Sequence, residues 1–387
     1  MRLEFVELKR SKGKVKTMWR RLFLISLCVV SGATFAAEVV HPPGPHHGES
    51  PYVVVKDWLQ PFAAPGFVWG SQPGIFVESS NRIFIIQRGQ LRIPEPKPAG
   101  FTNFYGSAPG LSALQPVDKK RDMRNVIFIV DGNGHLIESW TQWDYLFAGT
   151  PGPHKIAINP FDPERRVWVV NDARQQIHVF SNDGKQLLFS LGTWNEAGTD
   201  KTHFGRPQDV AWLADGSIFV ADGNDNARVV KFDRNGKYLL EWGSKGTADG
   251  QFNVVHAVAT DKKNRVYVAD RSNDRIQVFD AYGKHLATWP NLNFPNHIVI
   301  TKNQDVWVAD NQPVRLIKFD TKGNRLYSWD ADGRGPGEFG ELHEFGIDEK
   351  GNWYGADNIL GRAQKFVPKP KADRRQLMGK PLQLQTK

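Results

Sequence analysis

Cysteine is almost missing from this chain, with one residue in 387, Cys28. That excludes an internal disulfide framework and a thiolate metal site, so any metal must be held by histidine or carboxylate. Long apolar runs are also missing. The best one, LFLISLCVV at 22–30, contains Cys28 and is too short to span a bilayer as a helix. The net charge of +9 is not spread evenly either: residues 1–37 carry +6 and residues 366–387 carry +5, which leaves −2 for the body between them. A body without basic excess has no electrostatic footing for nucleic acid, and none is expected as a partner.

The apolar run at 22–30 follows Arg20-Arg21 and precedes the small residues SGATFAA. This is the layout of a secretory signal over 1–37, with cleavage after Ala36 or Ala37, and it predicts a secreted or periplasmic protein with no membrane association after signal removal. Met18 precedes the two arginines, so residues 1–17 read as an upstream extension that is not translated. Residues 38–51, with His41, His46 and His47 among Pro and Gly, read as a flexible leader. The basic stretch 367–387 reads as a disordered tail.

Between these ends lies a repeat. The segments IFVADGNDNARVVKFDRNGKYLLEW (218–242), VYVADRSNDRIQVFDAYGKHLATW (266–289), VWVADNQPVRLIKFDTKGNRLYSW (306–329) and WYGADNILGRAQKF (353–366) align directly. A fifth copy is VWVVNDARQQIHVFSNDGKQLLF (167–189), and a degenerate one joins IFIIQRG (83–89) to VIFIVDGNGHLIESW (126–140). Short Val/Ile/Phe/Tyr runs punctuated by Asp, Asn and Gly are strands and hairpins, and four per copy at this spacing predicts a six-bladed β-propeller over 52–366. The last copy stops after three strands, and YVVVKDW (52–58) stands alone before the first. That segment is expected to complete the last blade and close the ring. The insertion at 91–125 interrupts the first blade, and a loop of this length is more often functional than idle.

The aspartate ending the second strand (Asp172, Asp222, Asp270, Asp310, Asp357) recurs in every copy but the first and is read as a turn cap. Arg88 stands in its place in the first copy. The residue that opens each inner strand behaves differently, running Gly74, His154, Gln208, His256, Asn296, His343 around the ring. Histidine occupies alternate blades, so three imidazoles related by a near three-fold axis are expected to converge on the channel, the ligand set of an open zinc site. Arg271, beside Asp270, is a candidate for holding a carboxylate.

The runs VADRSNDR and ADGNDNAR are those of NHL repeats. With PHKIAI at 153, HFGRPQDVA at 203, GQFNVVHAVA at 250 and IIQRG at 85, the chain resembles peptidyl-α-hydroxyglycine α-amidating lyases. The resemblance implies zinc on His154, His256 and His343, and substrate-binding arginines at Arg88 and Arg271. It also implies a structural calcium held by Ile75, Ile156 and Glu344, where Glu replaces the family's Asp. The implied reaction cleaves a C-terminal α-hydroxyglycine to a peptide amide and glyoxylate, in a monomer acting on a small molecule or peptide that carries a carboxylate. The family's catalytic tyrosine falls on Asn224, which cannot serve as a base, so a metal-bound hydroxide or a residue of the insertion such as Tyr105 would have to replace it. Two alternatives stand beside this reading: a non-catalytic exported binding module, and a metal-dependent propeller hydrolase of lactones or esters.

Overall fold

The computed structural model describes residues 41–42, 44–60, 62–114, 121–382 and 384. The expected signal at 1–37 and the start of the leader lie outside them. The architecture is a six-bladed β-propeller of four-stranded antiparallel blades. Blade 1 is built from Gly74–Ser79, Arg82–Ile86, Ile127–Val130 and Leu136–Ser139. The inner strands of blades 2 to 6 are Lys155–Ile158, Pro207–Trp212, Val255–Thr260, Pro295–Ile300 and Leu342–Ile347.

The repeated second-strand runs VWVV, IFVA, VYVA and VWVA are apolar at every position because both faces of a blade are covered by neighbours. Successive side chains point to opposite faces. In blade 6, Trp353 therefore enters the seam with blade 5, and the next residue, Tyr354, enters the seam with blade 1. Six buried apolar clusters result, one at each seam between blades.

Tyr52–Val55 pairs with Arg362–Pro368 as the outer strand of blade 6, with Val53 opposite Val367 and Val54 opposite Phe366. The ring is closed as expected, by the first four residues of the 52–58 segment. No helix among the described residues is long and apolar enough to cross a membrane.

Both flanks are more ordered than composition suggested. The leader runs along the outer edge of blade 5, where the His41 carbonyl accepts from Asn293 Nδ2 and Arg315 Nη1, each at 2.9 Å, and the Tyr327 hydroxyl donates to the Glu49 carbonyl at 2.7 Å. The tail also packs: Lys369 N–H donates to the Pro51 carbonyl, Met378 is fully buried in the seam of blades 5 and 6, and its N–H donates to the Tyr52 hydroxyl at 2.8 Å. The expectation of disorder averaged over lysines and arginines and overlooked Leu377 and Met378, which anchor the segment.

Candidate metal centre and channel mouth

In blades 3 to 6 the register of the inner strand slips by one residue at its start. Pro207 pairs with Asp222 and Asp209 with Ala221, which leaves Gln208 unpaired; His256, Asn296 and His343 are the equivalent extra residues. A β-bulge re-aims the side chain of its extra residue. Here it turns the residue into the channel. His154 reaches the same place by standing just before its strand, with its N–H on the Val170 carbonyl.

The three histidines meet. Their rings lie 4.7 to 5.0 Å apart between centroids, and one nitrogen from each falls within 4.8 Å of the other two. Each Nδ1 faces a backbone carbonyl of the following blade: His154 the Gln208 oxygen at 2.8 Å, His256 the Asn296 oxygen at 2.8 Å, and His343 the Pro73 oxygen at 2.7 Å. A carbonyl only accepts, so each Nδ1 carries the proton and each Nε2 presents a lone pair. All three are buried, and His256 Nε2 is buried with no hydrogen-bond partner. Burial holds each imidazole well below its usual range; after it the largest charge pushing the same way is Arg88 for His154 and Arg271 for His256, whereas for His343 it is the His154 imidazole. Three neutral, oriented imidazoles fit a zinc ion with a fourth position open.

Two residues before each column position, the chain forms the rim. Gly152, Arg206, Val254 and Phe294 occupy equivalent positions in blades 2 to 5 with φ of 100°, 56°, 71° and 67°. This left-handed turn is strained for valine and phenylalanine, a cost usually met where a site is being shaped. Gly152 is needed for space as well, since a Cβ there would lie 2.9 Å from Arg88 Cγ. Arg88 is buried, donates through Nε to the Pro153 carbonyl at 2.9 Å and reaches Asn358 Oδ1 at 3.5 Å. The Arg271 guanidinium lies over the Phe294 ring at 4.4 Å, and its Nε is buried without a partner. Burial lowers the Arg271 pKa to about 10, opposed by Glu341 and reinforced by Arg206. Both expected arginines thus stand at the mouth with donors to spare.

Asn224 is there too, its amide against the Arg206 guanidinium; with the amide turned so that Oδ1 faces it, Oδ1 accepts from Arg206 Nη1 at 2.6 Å. Tyr105 is not at the mouth but fully buried in a separate cluster with Val68, Leu91 and Ala113, so the insertion does not deliver it as a base. Two other described residues of the insertion dock beside the mouth: the Gly106 and Ala113 N–H groups donate to the Leu360 and Ile359 carbonyls.

Two polar residues of the mouth, Arg206 and Glu341, escaped the sequence reading. Arg206 donates to Asp172 Oδ2 at 2.7 Å, which draws Asp172 away from the capping role kept by its equivalents. Asp222, by comparison, caps the Gly205 N–H and pairs with Arg228. Glu341 accepts from Asn296 Nδ2 at 2.7 Å and from Asn358 Nδ2 at 2.8 Å. The signal for Arg206 and Glu341 was their offset of two residues from the Gln208 and His343 column positions.

The calcium expectation meets a different arrangement. Glu344 Oε2 accepts from the Ile75 N–H at 3.0 Å and the Ile156 N–H at 3.4 Å. The ammonium of Lys155, a residue that the sequence reading passed over, stands in the same layer of the channel, 3.7 Å from Asp209. Ile75, Ile156 and Glu344 are brought together, but as two donors on one carboxylate beside a lysine. As arranged, this set does not fit a calcium ion, which needs six to eight oxygen ligands.

The sequence profile of a family described as a 6-bladed beta-propeller matches residues 197–307. The chain is 29% identical over 218 residues to peptidyl-glycine alpha-amidating monooxygenase B of Xenopus laevis, covering 55% of this chain and 23% of that protein. It is 34% identical over 139 residues to peptidyl-alpha-hydroxyglycine alpha-amidating lyase 1 of Drosophila melanogaster, covering 33% of this chain and 25% of that one. It is 29% identical over 199 residues to NHL repeat-containing protein 3 of Homo sapiens, covering 49% and 55%. The chain therefore spans about a quarter of the two amidating relatives and about half of the third. It is a six-bladed β-propeller, similar over part of its length to peptidyl-α-hydroxyglycine α-amidating lyases and to an NHL repeat-containing protein.

Proposed function

We propose that this propeller is an exported, metal-dependent lyase that acts on a C-terminal α-hydroxyglycine, releasing a peptide amide and glyoxylate. The observation that carries the reading is the buried, partnerless Nε2 of His256, set against the equivalent nitrogens of His154 and His343, beneath two arginines with unused donors. His154, His256 and His343 would hold zinc, which when bound would supply a Lewis acid for the substrate's hydroxyl.

The protein's own groups do the rest. Arg271, stacked on Phe294, and Arg88, fixed by the Pro153 carbonyl, hold the substrate carboxylate and set the hydroxyl over the histidines. The hydroxyl proton needs an acceptor, and Asn224 is not one. Asp172 is committed to Arg206, which leaves Glu341, held by the Asn296 and Asn358 amides and facing both arginines. Glu341 takes the proton and returns it to the departing amide nitrogen as the C–N bond breaks, so the hydroxyl carbon becomes the aldehyde of glyoxylate. The substrate is a small peptide or similar carboxylate that enters from the mouth, and the protein acts as a monomer.

A second reading, metal-dependent hydrolysis of a lactone or ester, is favoured by the locking of Asn224 against Arg206 at the position where the related lyases place a tyrosine. Incubating the metal-loaded protein with an α-hydroxyglycine-extended peptide separates the two. Stoichiometric glyoxylate and peptide amide support the lyase; no glyoxylate, with turnover of a lactone or ester panel, supports the hydrolase.

A further inference from the structure

One residue further along the inner strands, the channel carries a second ring: Ile75, Lys155, Asp209, Ala257, His297 and Glu344. Four of the six are polar, and all four are buried. Lys155 is 1% exposed. Its Nζ donates to the Asn296 carbonyl at 3.1 Å and to His297 Nδ1 at 2.8 Å, and it lies 3.7 Å from Asp209 Oδ2. Asp209 is held in turn by the Val210 and Val258 N–H groups, and Glu344 by those of Ile75 and Ile156. Burial pushes the Asp209 and Glu344 carboxyls up, and Lys155 is the strongest opposing influence on both.

We propose that Lys155 is a built-in cation, an ammonium that stands at the centre of the channel in place of the divalent ion implied by the resemblance, so that the fold is complete without calcium. The geometry carries this. Glu344 Oε2 already accepts two N–H groups, from Ile75 and Ile156. Charge points the same way. The ammonium offsets one of the two carboxylate charges, and a divalent cation added beside it would meet short-range Coulomb repulsion from that ammonium. Removing the ammonium reverses the argument, because two buried carboxylates and the Asn296 carbonyl are hard oxygen ligands of the kind calcium takes. The inference is independent of the lyase reading, since it concerns a layer that the reaction does not use.

The test is calcium content and melting temperature, measured with zinc present throughout. The parent protein, dialysed against millimolar calcium and then desalted, should retain below about 0.1 calcium per chain, and its Tm should move by less than about 1 °C on calcium addition. Lys155→Met leaves the carboxylates uncompensated and should lower Tm by about 5–10 °C, with millimolar calcium recovering part of the loss. Stoichiometric calcium in the parent would overturn the proposal. So would a Lys155→Met protein that melts like the parent. If that variant does not fold, the calcium content of the parent still decides the question.

Discussion

The His256 Nδ1 lies 2.8 Å from the carbonyl oxygen of Asn296, the residue at the same position of the next blade. His154 stands in the same relation to Gln208, and His343 in nearly the same one to Pro73. Alternation is thereby explained: even blades supply the imidazoles, and odd blades supply the backbone that orients them. A histidine at every blade would crowd six rings into a channel that closes around three, whereas this arrangement fixes each tautomer without using a side chain.

Closure of the ring by the first strand predicts a large stability effect at Tyr52. Its ring packs against Trp329 and Trp353 with centroids 6.1 and 6.3 Å away, and its hydroxyl holds the Met378 N–H. Tyr52→Ala should cost about 3–5 kcal/mol in denaturant unfolding. A truncation beginning after Val55 should lose more, since it also exposes the edge of blade 6. Parent-like melting of the truncated protein would contradict closure by this strand.

How much of this was legible follows from what repeats. Blade count, strand order and the histidine column could be read because VADRSNDR-type runs recur at fixed offsets, which turns one alignment into a three-dimensional register. Features carried by single residues could not. Nothing in the sequence marks Lys155 as a cation of the channel, because its meaning depends on Asp209, His297 and Glu344, which come from three other blades. The bulges at Gln208, His256, Asn296 and His343 are likewise invisible until strands are paired, although they aim the column inward. The tail was misread for the opposite reason: its average composition concealed one buried methionine.

Asp310 gives a pH signature. Burial raises its carboxyl to about 7, against the Asn293 N–H bond and the nearby Arg325 and Arg315. A carboxyl raised on folding contributes stability below its unfolded value near 4, and this is lost as pH rises through about 7, at up to about 1.4 kcal/mol per unit. Asp310→Asn should therefore gain on the parent progressively between about pH 4 and 7 and hold a constant difference above that. Urea melts at several pH values check this; an offset independent of pH would contradict the assignment.

The two arginines should separate substrate holding from metal holding. Arg88→Ala and Arg271→Ala should each keep bound metal and lose about 10²-fold in kcat/KM on a carboxylate substrate. Arg271→Lys should rescue little, because stacking on Phe294 and a two-pronged grip both need the planar guanidinium. Metal content and kinetics, measured on one preparation of each variant, test the separation; loss of metal together with activity would move the arginines from anchoring substrate to supporting the site.

The most direct measurement is elemental analysis of the protein purified without an affinity tag rich in histidine, then dialysed against zinc and desalted. The parent should carry about one zinc per chain. His154→Ala, His256→Ala and His343→Ala should each fall below about a tenth of that while remaining folded, since the seam clusters do not depend on a channel ion. His178→Ala is the control: its ring lies away from the column, between Asn171 and Ser190, and its metal content should match the parent. Stoichiometric zinc in any one of the three single variants, or none in the parent, would contradict a metal centre shared by His154, His256 and His343.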